Sequence, residues 1–372
     1  MGKSLFIAST GQHVGKTTLS LGILSGLRKL PLNAGFFKPV GQEELKTESG
    51  AVVDKDVVLF KETFQLLSSY SEMSPVLIPK GFTRSYLDKQ VSEELLREKI
   101  KQGHAAIENQ YDFVLVEGTG HTSVGSIINL NNAQVASLLG IPMILIATGG
   151  LGSAFDLLAL NKAMCDAYHV PIKGVILNRV LPEKREMIIH YMTKALTRWN
   201  LPLLASIPYD PFLSNPSMKD FETLFETKLL TGEEHQMRHF TDTRLVATSV
   251  ETYQKMILPC QLIITPANRE DIILATIKKQ WEIKKRDPHD DLMAGMILTG
   301  DHLPRKEIYE EIKQANIPML YTPVHSYAVM KMISSFTAKI RNEDLAKVHE
   351  AIDLVEQHID FEALLSDTIC RK

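Results

Sequence analysis

Through the first half of the chain, short apolar runs alternate with longer stretches in which apolar residues recur at helical spacing. The runs fall at 4–9, 34–40, 113–117, 143–147, 174–177 and 203–207. They are near-continuously apolar instead of alternating with polar residues, as expected of strands covered on both faces. The pattern predicts an α/β fold with a mostly parallel sheet and helices on both faces. In such sheets ligands bind beyond the carboxyl ends of the strands. The polar residues that follow each run are therefore the candidates for chemistry.

The first run passes into Thr10-Gly11-Gln12-His13-Val14-Gly15-Lys16-Thr17-Thr18, and Leu19, Ile23, Leu24 and Leu27 then repeat at helical spacing. Strand, glycine turn and helix in that order read as a phosphate-binding loop. Backbone N–H groups around Gly11 and Gly15 and at the helix start can hold phosphate oxygens. Lys16 would place its ammonium on the terminal phosphates, Thr17 its hydroxyl on Mg²⁺, and Thr18 would donate to an inner phosphate. Thr10 stands where the common Gly-x-x-x-x-Gly-Lys-[Ser/Thr] spelling has its first glycine. An ordinary strand-to-helix turn is the alternative reading.

Later run ends supply further candidates. Lys38 ends the second run, where a lysine among apolar residues calls for an anionic partner unless it snorkels to the surface. Glu117 ends the third, before Gly118-Thr119-Gly120, as a Walker-B-type Mg²⁺ ligand would; a turn-capping acid is the plainer reading. Asp56 is a second candidate Mg²⁺ group, although Asp54 or Asp56 could serve simply as a helix N-cap. Asn178, after the fifth run, offers the donor and acceptor that suit an adenine edge, or caps a loop.

Composition narrows the class. The 372 residues are 44% apolar and 23% charged, with a formal charge of −3, enough for two domains and without a field for nucleic acid or an anionic membrane. No apolar run approaches the roughly 20 residues that span a bilayer. Met1-Gly2-Lys3-Ser4 leads directly into the first strand, so no signal peptide is expected. Cys165, Cys260 and Cys370 are far apart and lack Cys-x-x-Cys spacing, which predicts free thiols, a cytoplasmic location and no zinc site.

Taken in order, Ser9 to Thr17, Gly35-Phe36-Phe37-Lys38-Pro39-Val40, Val114-Leu115-Val116-Glu117-Gly118-Thr119-Gly120 and Gly174-Val175-Ile176-Leu177-Asn178 resemble dethiobiotin synthetase and the P-loop domain at the N-terminus of long bacterial phosphate acetyltransferases. The resemblance implies ATP and Mg²⁺ as cofactors. It implies that Lys16, Lys38 and Glu117 are catalytic, that Thr17, Asp56 and Glu117 hold Mg²⁺, and that Asn178 faces adenine. His13, Gly41-Gln42 and His121 depart from the segments that hold the dethiobiotin synthetase substrate, which favours the acetyltransferase-type relative. A second loop lysine, which DNA-partitioning and division-site ATPases carry, is replaced by Gly11.

The sheet pattern breaks at Asn215-Pro216-Ser217, which predicts a P-loop domain over 1–214. Segments 229–233, 262–273 and 293–300 resemble the DRTGG domain, predicting such a module with a C-terminal helix over 215–372. Arg269-Glu270-Asp271 reads as a helix start with acids at its positive end, and His302, His325 and Tyr327 as surface or packing residues. Only one more helical segment, over 343–365, follows, so the acyl-transfer domain of the acetyltransferases is not expected. Two functions remain: an ATP-dependent phosphoryl-transfer or ligase-type enzyme acting on a small carboxylate-like substrate, and a nucleotide-sensing regulator. Either would take a small-molecule substrate or effector as partner, act as a homo-oligomer, in particular a dimer, and engage neither nucleic acid nor membrane.

Overall fold

The computed structural model describes residues 4–47 and 50–366, so the first three residues and Cys370 lie outside the described part. Two compact units emerge: Met1–Asp210 together with Ile340–Lys372, and Pro211–Lys339.

The first unit is built on a six-stranded parallel sheet of β1 (Ser4–Ser9), β2 (Ala34–Phe37), β3 (Phe113–His121), β4 (Met143–Thr148), β5 (Ile172–Val180) and β6 (Leu203–Pro208), in the order β6-β5-β4-β1-β3-β2. Its main helices are α1 (Lys16–Lys29), α2 (Lys55–Phe64), α3 (Glu93–Gln110), α4 (Asn132–Leu139), α5 (Gly152–Ala167) and α6 (Arg185–Leu196). The chain moves from β1 outward to β2, back to β3, then across β1 to β4. Right-handed crossovers in opposite directions place helices on both faces. Every residue of β1 is buried, as the unbroken apolar pattern predicts.

β5 runs over Ile172–Val180 where 174–177 is predicted, and two strands beside the P-loop differ from their predicted extents for local reasons. β2 stops at Phe37 because Lys38 N–H turns to the Met73 carbonyl, at 2.8 Å, and Pro39 has no N–H to give a neighbour. Val40–Gly41 then pairs with Val76–Leu77 in a separate ladder. β3 runs on to His121, and its register against β1 slips between Ile7↔Glu117 and Ser9↔His121. That irregularity re-aims the end of the strand beside the P-loop.

The second unit holds a mixed five-stranded sheet: β7 (Leu229–Thr231), β8 (Asp242–Leu245), β9 (Gln261–Pro266), β10 (Gly295–Thr299) and β11 (Met319–Thr322), ordered β7-β11-β10-β9-β8, with β7 alone antiparallel. Ile272 and Ile277 of α8 (Glu270–Arg286) and Ile308 and Ile312 of α9 (Lys306–Ala315) pack into one apolar core. Phe221 of α7 (Met218–Leu224) and Val329 and Ile333 of α10 (Ser326–Ser335) pack into another. Cys165 and Cys260 are free thiols, and burial pushes the Cys165 thiol up to about 12.

The helical segment predicted over 343–365 is two helices, α11 (Leu345–Glu356) and α12 (Phe361–Leu365). They pack in the first unit, whereas the sequence predicts the segment as part of the second domain, over 215–372. The physical reason lies in α1. A Cβ at Gly22 would sit 2.3 Å from Val355 Cβ, and one at Gly26 would sit 2.1 Å from Phe361 Cζ. The two glycines open a groove one turn apart on α1, and side chains of the returning segment fill it.

Candidate functional site

β1, β3 and β2 are neighbours in the sheet, so the residues leaving their carboxyl ends converge. The P-loop leaves β1. Gly15, the N-cap of α1, has φ 96°, a left-handed conformation suited to glycine, and a Cβ there would lie 2.2 Å from Asn178 Nδ2. No side chain caps α1, and its first turn carries no acid. Its positive end is thus left for an anion.

Lys16 Nζ donates to Ser9 Oγ at 2.9 Å and to the Gly120 carbonyl at 2.6 Å, joining the loop to the end of β3. Thr17 Oγ1 lies 3.4 Å from Glu117 Oε1. Glu117 Oε1 is also 3.3 Å from Lys38 Nζ, and its Oε2 is buried with no hydrogen-bond partner among the described residues. The buried Ser20 hydroxyl beside this carboxylate pulls its pKa down, and a buried carboxylate oxygen short of donors costs roughly 1–3 kcal/mol, which a bound cation would relieve.

Lys38 is 5% exposed. It pairs with Asp56, with Glu117 at 3.3 Å and with Asp54 at 3.6 Å. Burial alone would pull its ammonium down, but Asp56, Asp54 and Glu117 together hold it well above the usual lysine value. The acids feel the reverse balance. Burial pushes Glu117 up, as does Asp56, against the pull of Lys38, and Asp54 is raised in the same way. One ammonium does not neutralise two buried carboxylates and the partly exposed Asp56, so the cluster has room for a further positive charge.

The sequence left Asp54 and Asp56 as alternative helix caps, and the structure divides them. Asp54 caps α2, accepting from the Asp56 N–H at 2.9 Å, while Asp56 reaches Lys38. Asn178 is brought to the P-loop with its donor committed there, Nδ2 bonding the Val14 carbonyl at 2.8 Å. Gly11 and Thr18 lie in the loop and the first turn of α1. His302, His325 and Tyr327 are exposed.

Sequence reasoning missed the amides that tie these segments together. Asn132, at the start of α4, accepts from Thr119 N–H at 3.1 Å and donates to the Thr119 and His121 carbonyls at 3.0 and 2.9 Å. Asn161 on α5 accepts from Thr122 N–H at 3.2 Å and donates to the Thr10 carbonyl at 3.4 Å. Asn161 also bonds the Leu157 carbonyl on its own helix, but the partners that tie the segments together lie 11 to 151 residues away, beyond the reach of any local spacing.

Among the described residues, no group of three or more His, Cys, Asp and Glu side chains is arranged to hold a metal ion. Mg²⁺ is usually bound through one or two carboxylates plus substrate phosphates, not an all-protein cage, and the hydroxyl of Thr17 beside Glu117 suits that mode.

Residues 3–217 match the AAA_26 family, an AAA domain. The chain belongs to this family. Residues 223–336 match the DRTGG domain, so an AAA_26 P-loop domain is followed by a DRTGG domain. Phosphate acetyltransferase from Nitratidesulfovibrio vulgaris is 26% identical over 381 residues, 100% of this chain but 52% of that protein. The chain thus spans about half the length of the acetyltransferases it matches. ATP-dependent dethiobiotin synthetase from Clostridium perfringens is 28% identical over 203 residues, covering 53% of this chain and 86% of that enzyme. A solved structure of the CBS and DRTGG domains of the regulatory region of Clostridium perfringens pyrophosphatase, complexed with diadenosine tetraphosphate, is 16% identical, covering 44% of this chain and 74% of that one at a TM-score of 0.28. The AAA_26 domain is accordingly a P-loop nucleotide-binding domain related to dethiobiotin synthetase. No helix among the described residues is long and apolar enough to cross a membrane.

Proposed function

We propose that the AAA_26 domain binds Mg·ATP and acts as an ATP-dependent phosphoryl-transfer or ligase-type enzyme on a small carboxylate-like acceptor, in the cytoplasm and as a homodimer. One observation carries the reading: Lys38 is buried among carboxylates at the strand ends beside the P-loop. A lysine is costly to bury for fold alone, and an ammonium held charged there can stabilise negative charge that builds up during transfer.

The roles follow from position. Backbone groups at Gly11 and Gly15, the start of α1 and the Thr18 hydroxyl would bind phosphate oxygens. Lys16 would exchange Ser9 and the Gly120 carbonyl for the terminal phosphates. Thr17, Asp56 and Glu117 would hold Mg²⁺, and the orphaned Glu117 Oε2 fits that role. Asn178 fixes the loop through its bond to the Val14 carbonyl. Bound Mg·ATP would supply the activated phosphoryl group. Lys38 then orients and stabilises what the acceptor attacks.

A second reading is a nucleotide sensor. It is favoured by the match to half of the acetyltransferases and by the DRTGG domain. Lys38→Ala separates the two. An interaction made mainly in the transition state should, when lost, lower turnover about 100-fold while Mg·ATP affinity changes only a few-fold. Phosphate release and calorimetry measure the pair. Wild-type protein that binds Mg·ATP without release or transfer to any acceptor, and whose residues 211–339 change hydrogen-exchange protection on binding, would establish the sensor instead.

A further inference from the structure

Three backbone N–H groups of this chain donate to the Asp54 carboxylate, and the Lys38 ammonium faces it as an ion pair. Oδ1 accepts from Asp56 N–H at 2.9 Å and faces Lys38 Nζ at 3.6 Å. Oδ2 accepts from the N–H groups of Gln42 at 3.1 Å and Glu43 at 3.4 Å. A carboxylate has about four lone-pair sites, and three of them are taken up inside the chain with an ammonium facing the fourth. The side chain is 1% exposed. Gly41 admits it, because a Cβ at that position would lie 2.6 Å from Oδ2. The Asp56 side chain, by contrast, is 24% exposed.

We propose that Asp54 is a positioning residue: it fixes Lys38, the start of α2 and the Gln42–Glu43 backbone as one assembly, so that Asp56 presents its carboxylate to the ligand side. What Asp56 does there rests on the Mg·ATP reading. What Asp54 holds does not.

A mere helix cap would be replaceable by serine, which caps as well as aspartate but cannot span Lys38 and two backbone amides. The full-length protein is therefore compared as wild type, Asp54→Ser, Asp54→Asn and Asp56→Asn. Amide hydrogen exchange at Gln42 and Glu43 is followed without ligand, and ATP binding is followed calorimetrically across a Mg²⁺ titration. Asp54→Ser should speed exchange at both amides and weaken Mg·ATP about tenfold, with the Mg²⁺ midpoint held within about twofold. Asp56→Asn should move that midpoint about tenfold. Asp54→Asn keeps the size of the side chain but loses the charge and one of the two acceptor oxygens, so it tests the same assembly if the serine variant fails to fold. Wild-type exchange and affinity in Asp54→Ser would reduce Asp54 to a cap and overturn the proposal. A midpoint shift in either Asp54 variant equal to that of Asp56→Asn would make it a ligand and overturn it as well. Should wild-type protein bind no Mg·ATP, the functional reading falls, and the exchange data alone uphold or overturn the positioning role.

Discussion

The two sheets share an architecture and differ in what their carboxyl ends leave unsatisfied. In the first unit the strand order reverses around β1 and β3, opening the kind of crevice where α/β folds bind ligands. There α1 starts uncapped and without an acid in its first turn, and Glu117 keeps a buried oxygen unpaired. In the second unit the parallel strands β8, β9, β10 and β11 succeed one another without reversal. Its longest helix, α8, fills its own positive end with Glu270 and Asp271, which pair with Arg305 and Arg269. A parallel sheet alone does not make a site. A site arises where topology gathers segments and the chain withholds its own partners from them.

Each unit carries one of the chain's two tryptophans, Trp199 and Trp281, so single-tryptophan variants report them separately. The largest effect is expected from Lys38→Met, which leaves buried carboxylates without their ammonium and should cost the Trp199 transition about 3–5 kcal/mol at neutral pH. The sign with pH is fixed. Carboxyls raised by burial favour the native state below their unfolded value of about 4, and lose that contribution as pH rises through the raised native value. The variant should therefore recover stability on acidification from pH 8 toward 5. In the wild type, the contribution of Lys38 is present below the ordinary lysine value of about 10.4 and is lost only beyond its raised native value. A variant with the wild type's pH profile would mean that the cluster carries no such strain.

Lys16→Ala should weaken Mg·ATP by at least about 100-fold, close to 2.7 kcal/mol, while leaving the ligand-free Trp281 transition in place. Calorimetry checks it, and unchanged affinity would remove the P-loop assignment. Gly26→Val drives a side chain into Phe361 and should cost the Trp199 transition about 1–3 kcal/mol with none lost at Trp281. Equal losses at both would show that the units do not unfold separately. The smallest effect is at Asn178. Because its donor already anchors Val14, Asn178→Ala should weaken ATP and GTP alike, about fivefold, the worth of one hydrogen bond. A loss confined to ATP would assign the amide to reading the base.

The strands were legible because residues buried on both sides of a sheet must be apolar throughout, and that leaves a pattern in one dimension. The P-loop, Lys38 and Glu117 stood out for a related reason, since each lies at the end of such a run, whereas Asp56 stands before a helical stretch and rises above a cap only through the family resemblance. What could not be read was long-range. Whether Asp54 or Asp56 caps α2 depends on where Lys38 and the Gln42 amide arrive in space. The amides of Asn132 and Asn161 serve carbonyls that no spacing connects to them. The assignment of α11 and α12 depended on Gly22 and Gly26, which in sequence look like helix-weakening residues and in space are the floor of a groove.

That groove inverts the order in which the chain can be finished during synthesis. Domains commonly complete themselves in the order they are made. Here the second unit has all its residues once Lys339 is in place, whereas the first unit, begun with β1, still lacks the side chains of Val355 and Phe361 that fill the back of α1. The nucleotide-binding unit starts first and is completed last, so a nascent chain would carry a finished DRTGG domain before its P-loop helix is fully covered.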